Sequence, residues 1–414
     1  MYRRVLALTG PFLPVVSFLG RLPTAMCQLG SLLLVAETSG SLATAGLVGG
    51  ALAAGQTVGG PLLGRAADRR GQRGVVLAAA LTNAVATTAF VLGALTHLAT
   101  PALVLLAVLA GATVPQIGPL ARTRTVALAR ASDADERTVG AVLSFEGTLD
   151  EVSFVLGPAL VGLAAAFAHP AVALLGASAL LAVCGSAFAL HPTASRVGSR
   201  TPAGAPARAR PIAGAAKRPR LPAAVYTLRF TMGLQGAMFG ASQAGITALT
   251  ERLGRPEQAG LVYAAMGVMS AAAGLSMAAV PQRIALTTRW RVATAALVVL
   301  SVPLLFVDSL LALYAVVTLL GVAYAPHLIT LFGLTERLVP PARLAESMAV
   351  LASCTVAGQA LALALAGRLS QDHGPGAGFS VAVVAAGLCC VLARIRTGDP
   401  TRAVAAPSDS VRSA

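Results

Sequence analysis

Three carboxylic acids, Glu146, Asp150 and Glu151, fall in one apolar stretch from about residue 140 to 167. At 1.5 Å per helical residue, roughly 9 Å of helix precedes Glu146 and roughly 15 to 17 Å precedes the other two. Glu146 and Asp150, four residues apart, share a helix face, while Glu151 points about 100° away from Asp150. Arg21 lies about as deep in the first apolar stretch. In lipid, an ionised group at that depth costs about 2.5 to 3.5 kcal/mol, so it must be paired, protonated or lining water. An apolar surrounding favours the neutral acid and a neighbouring cation favours the charged one. An acid that alternates between the two loads and releases a proton. Asp150 or Glu151 is therefore expected to carry a proton, with Glu146 beside it and Arg21 as the switchable partner; a permanent ion pair that fixes helix packing is the alternative.

The elements that position these residues read as membrane helices. Of 414 residues, 56% are hydrophobic and 11% charged, against about 25% charged in soluble domains. Apolar runs of roughly 20 residues, long enough to cross a bilayer as a helix, recur near 10–36, 42–63, 75–96, 101–121, 140–167, 170–190, 222–249, 258–279, 292–308, 310–334, 344–367 and 378–395. They are continuous rather than alternating, which excludes the strands of a membrane barrel. With both termini cytoplasmic, twenty-six of the thirty-one Lys and Arg residues fall on cytoplasmic connections or tails, Arg122 and Arg124 among them. That is the asymmetry of the positive-inside rule. The net charge of +15 then needs no nucleic acid, because the basic residues come in short bursts and aromatic residues make up only 4%.

The Pro-, Ala- and Arg-rich stretch 192–221 reads as a cytoplasmic linker between a bundle at 1–191 and another at 222–396, with 397–414 as a cytoplasmic tail. The halves look related: Ala45–Val48 recurs as Ala259–Val262, Glu146 corresponds to Glu346, Gly157 falls within one residue of Gly358, and Arg21 is echoed by Arg229. A duplicated six-span unit places a substrate site between the halves near the bilayer midplane. The fold expected is all-α and polytopic, twelve transmembrane helices in two pseudo-symmetric six-helix bundles. Cys27, Cys184, Cys354, Cys389 and Cys390 form no C-x-x-C pair and read as small packing residues. No metal and no cofactor is expected.

The connection after the second run reads Gly64-Arg65-Ala66-Ala67-Asp68-Arg69-Arg70-Gly71-Gln72-Arg73. It resembles the signature G-x-x-x-D-[RK]-x-G-x-[RK] of the major facilitator superfamily, met by Gly64, Asp68, Arg69, Gly71 and Arg73. The resemblance implies two bundles that rock about a central cavity, with Asp68 as a cytoplasmic latch on the N-terminus of the eleventh span, where the helix dipole is positive. In the second half Gln282 stands opposite Asp68, so the latch is expected to be asymmetric. Ser153 to Gly162 resembles the G-x-x-x-G-P-x-x-x-G pattern of proton-exchanging exporters, with Ser153 in place of the first glycine. Gly157, Pro158 and Gly162 are expected to form a kink with close helix approach. The fourth run lacks the arginine that many such exporters carry within the membrane; Arg122 is expected only at its cytoplasmic end, which leaves that role to Arg21. Spans one, four, seven and ten line the cavity in the superfamily, which implies Arg21, Gln116, Gln235, Gln243, Tyr324 and His327 as substrate contacts, joined by Gln359 of the eleventh span. Glu37 and Glu336 are expected to be solvated at helix ends.

These expectations converge on proton-driven export of a small amphipathic compound, a drug, antibiotic or other secondary metabolite. The Arg-rich, Lys-poor composition suggests a bacterial plasma membrane, with the protein a monomer whose partners are lipid, substrate and protons. Uptake of a sugar or another nutrient is the alternative; it calls for more aromatic and amide groups than a chain with one tryptophan offers. No enzyme motif such as H-E-x-x-H or a phosphate-binding loop is present, so no catalytic residue is expected.

Overall fold

The structure, a computed structural model, describes residues 2–132, 134–194, 221–255, 258–281 and 283–395. Most of the expected linker (192–221), the tail and Gln282 lie outside the described residues. Among the described residues the ordered elements are all helices. After a short helix, Tyr2–Thr9, the described residues make twelve long helical passes. The first six are Phe12–Ser39, Leu42–Arg70, Gln72–Leu95, Thr100–Ala131, Glu136–Phe167 and Pro170–Leu190. The others are Ala223–Arg252, Gln258–Ala279, Leu286–Phe306, Leu310–Leu338, Leu344–His373 and Pro375–Ile395. They are called the first to the twelfth span. Ten are long and apolar enough to cross a membrane. The second and seventh, of 29 and 30 residues, are long enough but more polar, since one ends in a charged turn and the other carries Arg229, Gln235 and Gln243.

Local chemistry sets the helix ends. Ser41, Asp135 and Ser309 accept the backbone N–H of Thr44, Thr138 and Ala312 at 3.2, 2.9 and 3.4 Å, capping the second, fifth and tenth spans. The fourth and sixth spans open with proline in the first turn, where its missing N–H leaves no donor unpaired. The basic signature is almost entirely helical rather than the loop expected: the second span runs to Arg70, and Gly71 alone makes the turn. Its φ of +83° explains a glycine there.

One apolar cluster joins Leu34, Val48, Phe90 and Leu174 within the first six spans, and another joins Met238, Val262, Leu297 and Phe379 within the last six. A third cluster crosses between them, bringing Val142 and Leu143 against Leu228, Leu331 and Met348. Glycines let backbones approach within each half: Gly111 of the fourth span meets the Leu52 carbonyl of the second, and Gly358 of the eleventh meets the Gly233 carbonyl of the seventh. Gly157 likewise packs on Ala25 of the first span, but Gly162 faces open space, so only one of the two expected close approaches occurs.

Three spans of the first half depart from a regular helix at one level. Pro23 lies inside the first, the fourth breaks between Ala112 and Ile117 with Gln116 at φ +53°, and the sixth contains a π-turn at Leu181–Gly185. Asn83 of the third span donates to the Ala110 carbonyl at 2.5 Å and to Thr113 Oγ1 at 3.2 Å, covering the end of the broken half-helix. Backbone groups freed within a membrane need such partners.

Candidate functional site

The fifth span presents Glu146 and Asp150 to the first and fourth spans. Arg21 Nη1 donates to the Glu146 carbonyl at 2.9 Å and lies 3.1 Å from Asp150 Oδ1, while its Nη2 bonds the Glu146 carboxylate. Arg122 Nη2 bonds Asp150 Oδ2 at 2.7 Å, and Thr125 Oγ1 reaches Glu146 Oε1 at 3.3 Å. A Cβ on Gly118 would lie 2.7 Å from Asp150 Oδ1, so glycine makes room for the carboxylate. Two guanidinium and two carboxylate groups thus form a neutral quartet. Arg21, Arg122 and Glu146 are buried and the Asp150 side chain keeps 18% of its exposure. The quartet is not saturated: Nε of Arg21, and Nε and Nη1 of Arg122, are buried without a hydrogen-bond partner.

Arg122 is the largest correction to the sequence reading. The expected cytoplasmic end of the fourth span is its interior, for the helix continues to Ala131 and Arg122 is fully buried. Its charge is compensated by Asp150 and its guanidinium lies 3.6 Å from the Phe332 ring centroid in the tenth span. Arg124, also counted as a loop residue, is buried beneath the Phe188 carbonyl and Gln72 at 2.8 and 3.0 Å. A count of charges at one depth would have found Arg122, because two acids on one face leave Arg21 outnumbered.

Glu151 points the other way. It is buried, faces Ser270 of the eighth span and lies within electrostatic reach of Tyr263 and Tyr324. No cation forms an ion pair with it among the described residues.

The expected substrate contacts separate into two groups. Gln235, Tyr324 and His327 are fully buried inside the second half and bonded to one another: Gln235 Nε2 donates to the Tyr324 carbonyl at 3.1 Å and its Oε1 meets His327 Nδ1. Tyr324 also stacks on Phe239 at 4.4 Å and its hydroxyl lies 3.3 Å from Ser242. Gln243 and Gln359 are half-buried, and Gln116 forms the break in the fourth span beside Gly60 and Ser353.

At one end the halves are tied by charge. Asp68 accepts the backbone N–H of Ala345 at 3.1 Å and of Glu346 at 2.8 Å, in the first turn of the eleventh span. A Cβ on Gly64 would lie 2.9 Å from the Ala345 carbonyl. Glu346, which corresponds to Glu146 in the first half, is buried and meets Arg65 at 2.7 Å and Arg343 at 3.5 Å. Arg69 and Arg73 are exposed. A second set of ties joins Arg130 to Glu336 at 2.8 Å and Arg337 to Glu136 at 3.0 Å. Glu336 is therefore buried and paired rather than solvated.

Twelve helical passes, two packed halves and ionic groups enclosed between spans define a polytopic membrane transporter. The chain belongs to the Major Facilitator Superfamily, whose family model matches residues 15–343 and 246–413. No curated protein matches the sequence. Among solved structures it resembles the human organic anion transporter MFSD10, at 18% identity and a TM-score of 0.69, over 95% of this chain and 99% of that one. A bacterial homologue of the iron transporter ferroportin in an outward-facing state superposes with a TM-score of 0.71 at 16% identity, over 92% and 97% of the two chains. The fucose:proton symporter of E. coli gives 0.64 at 13% identity, over 94% and 98%.

Proposed function

We propose that the protein exports a small, partly apolar compound in exchange for protons, by alternating access to a site between residues 1–191 and 222–396. The observation that supports this reading is the neutral quartet of Arg21, Arg122, Glu146 and Asp150, with Glu151 alone on the next face. Protonating Asp150 would leave the quartet one positive charge in excess, and an uncompensated buried charge is strongly unfavourable. The fifth span then has reason to move against the first and fourth. Glu151, which pairs with no cation among the described residues, is the acid whose surroundings best accept a bound proton.

In this reading the latch of Gly64, Asp68, Arg69, Gly71 and Arg73 closes the cytoplasmic face of a bacterial plasma membrane, both termini lie on that side, and the unit is a monomer. Gln116, Gln243 and Gln359 are the polar groups offered to the cargo, with Gln235, Tyr324 and His327 shaping the second half behind them. The nearly balanced charge favours weakly charged, partly apolar cargo.

The test is flux into inverted membrane vesicles of apolar dyes, antibiotics, an organic anion and a sugar, with wild type and Asp150→Asn compared. Uptake of an apolar compound that needs an acidic lumen and disappears in the variant is expected. Equilibration of the sugar in both proteins, without any gradient-driven dye flux, would instead establish the nutrient permease.

A further inference from the structure

On the face that carries the latch, the ends of the fifth, eighth, ninth and tenth spans enclose a crevice of about 70 Å³. Its walls come from both halves. Arg137 and Leu143 belong to the fifth span, Met277 ends the eighth, Ile284 precedes the ninth, and Arg289 and Arg337 belong to the ninth and tenth. That space holds several waters, or one phosphate group in their place.

The charges in the crevice do not cancel. Its acids, Glu136 and Glu336, are already engaged by Arg337 at 3.0 Å and Arg130 at 2.8 Å. Arg137 is exposed and makes no ion pair or hydrogen bond among the described residues. Arg289 is fixed by the carbonyls of Ile284, Pro281 and Val280 at 3.1, 3.0 and 3.4 Å, all of them uncharged. It also lies within electrostatic reach of Arg337. Among the described residues, two arginines are thus held at a seam with no anion paired to either. Beside them the surface turns apolar: Leu275 of the eighth span, Ile284 just before the ninth and Val292 of the ninth are exposed. Cationic groups above an exposed aliphatic face fit one class of partner, an anionic phospholipid, whose phosphate and acyl chains are joined in that order.

We propose that this crevice binds an anionic phospholipid, its phosphate between Arg137 and Arg289 and its chains over Leu275 and Val292. The lipid bridges the fifth span to the ninth and so holds the two halves together on the latch face. The inference needs only the membrane fold and does not depend on the cargo or its direction.

The purified full chain in neutral detergent would be melted with phosphatidylglycerol, with phosphatidylcholine and with inorganic phosphate. Phosphatidylglycerol is expected to raise the melting temperature by about 4 °C or more at saturation, and the other two by much less. The rise should be lost in Arg137→Gln/Arg289→Gln and kept in Arg70→Gln, a charge removed elsewhere on the same face. Should the double variant fail to fold, the single change Arg137→Glu, at an exposed side chain that bonds none of the described residues, is expected to abolish most of the rise. An undiminished rise in either crevice variant would overturn the proposal. Equal rises with phosphatidylcholine would reduce it to general lipid solvation, and equal rises with inorganic phosphate to a plain anion site.

Discussion

Glu146 and Glu151 have the same carboxyl group and nearly the same burial, yet they should respond oppositely to neutralisation. Glu146 compensates Arg21, which bonds both its carboxylate and its backbone carbonyl. Glu146→Gln leaves a buried guanidinium short of an anion, and removing one partner of a buried pair costs about 3 to 5 kcal/mol. We expect reduced yield and a melting temperature lower by several degrees, with partial recovery when Arg21→Met is added, because the second change removes the stranded charge. Glu151 pairs with no cation among the described residues. Glu151→Gln should fold with a melting temperature close to wild type while pH-driven flux disappears. The sign of the pH effect is set by proton binding: an ionised acid loads from the acidic compartment, so wild-type flux should rise as that compartment is acidified and the Glu151→Gln flux should stay flat. A Glu151→Gln protein that melts early, or one whose flux still follows the gradient, would remove Glu151 from the coupling scheme.

The joint between the second and eleventh spans is where single residues act through whole helices. Asp68 covers two N–H groups at the positive end of the eleventh helix, and a carboxylate in a partly buried site of this kind contributes about 1 to 2 kcal/mol. Asp68→Asn should therefore open this face roughly tenfold more often, since 1.4 kcal/mol is a factor of ten. Cys354, ten residues beyond the joint and half-buried, is a native reporter, because the other four cysteines are buried. Its labelling by a polar thiol reagent should accelerate in the variant and in Gly71→Val, which forces a β-branched residue into φ +83°; unchanged labelling would mean that these bonds do not limit opening.

The same elements mark what was legible beforehand. Asp68 and Asp150 stand out because an acid in an apolar or basic run needs a reason, and span number follows from the length of the apolar runs. Arg122 was not legible from a tally of basic residues per connection, which treats any arginine after an apolar run as loop; its burial depends on an aspartate 28 positions later. The break at Gln116 and the π-turn in the sixth span are equally hidden, since each is stabilised by neighbours such as Asn83 that no local pattern contains. The pairing of Gln235 with His327 is of the same kind, two polar residues 92 positions apart that satisfy each other.

Across the whole molecule, alternating access requires the contacts inside each half to be more rigid than those between halves, and the glycines away from the latch are distributed in that way, whereas Gly64 at the latch meets the Ala345 carbonyl across the halves. Inside the second half, Gly358 rests against the backbone carbonyl of Gly233, and inside the first, Gly111 rests against that of Leu52. Backbone cannot move aside without parting two helices. Between the halves, Gly267 of the eighth span meets a side-chain methyl of Val155 in the fifth, and Gly274 faces Thr148 Oγ1. Side chains can turn or slide there. Gly358→Val should therefore destabilise its half, with overpacking of about 1 to 3 kcal/mol as a minimum because no rotamer relieves it, and little monodisperse protein should be recovered. Gly267→Val should fold and melt near wild type while its flux falls, because the added methyl groups press the halves apart in the closed arrangement but leave each half intact. Yield and gradient-driven flux measured together separate the two outcomes. Equal loss of folded protein in both variants would mean that the twelve spans form one packed unit, and the halves would then have to exchange contacts by a route other than rigid rocking.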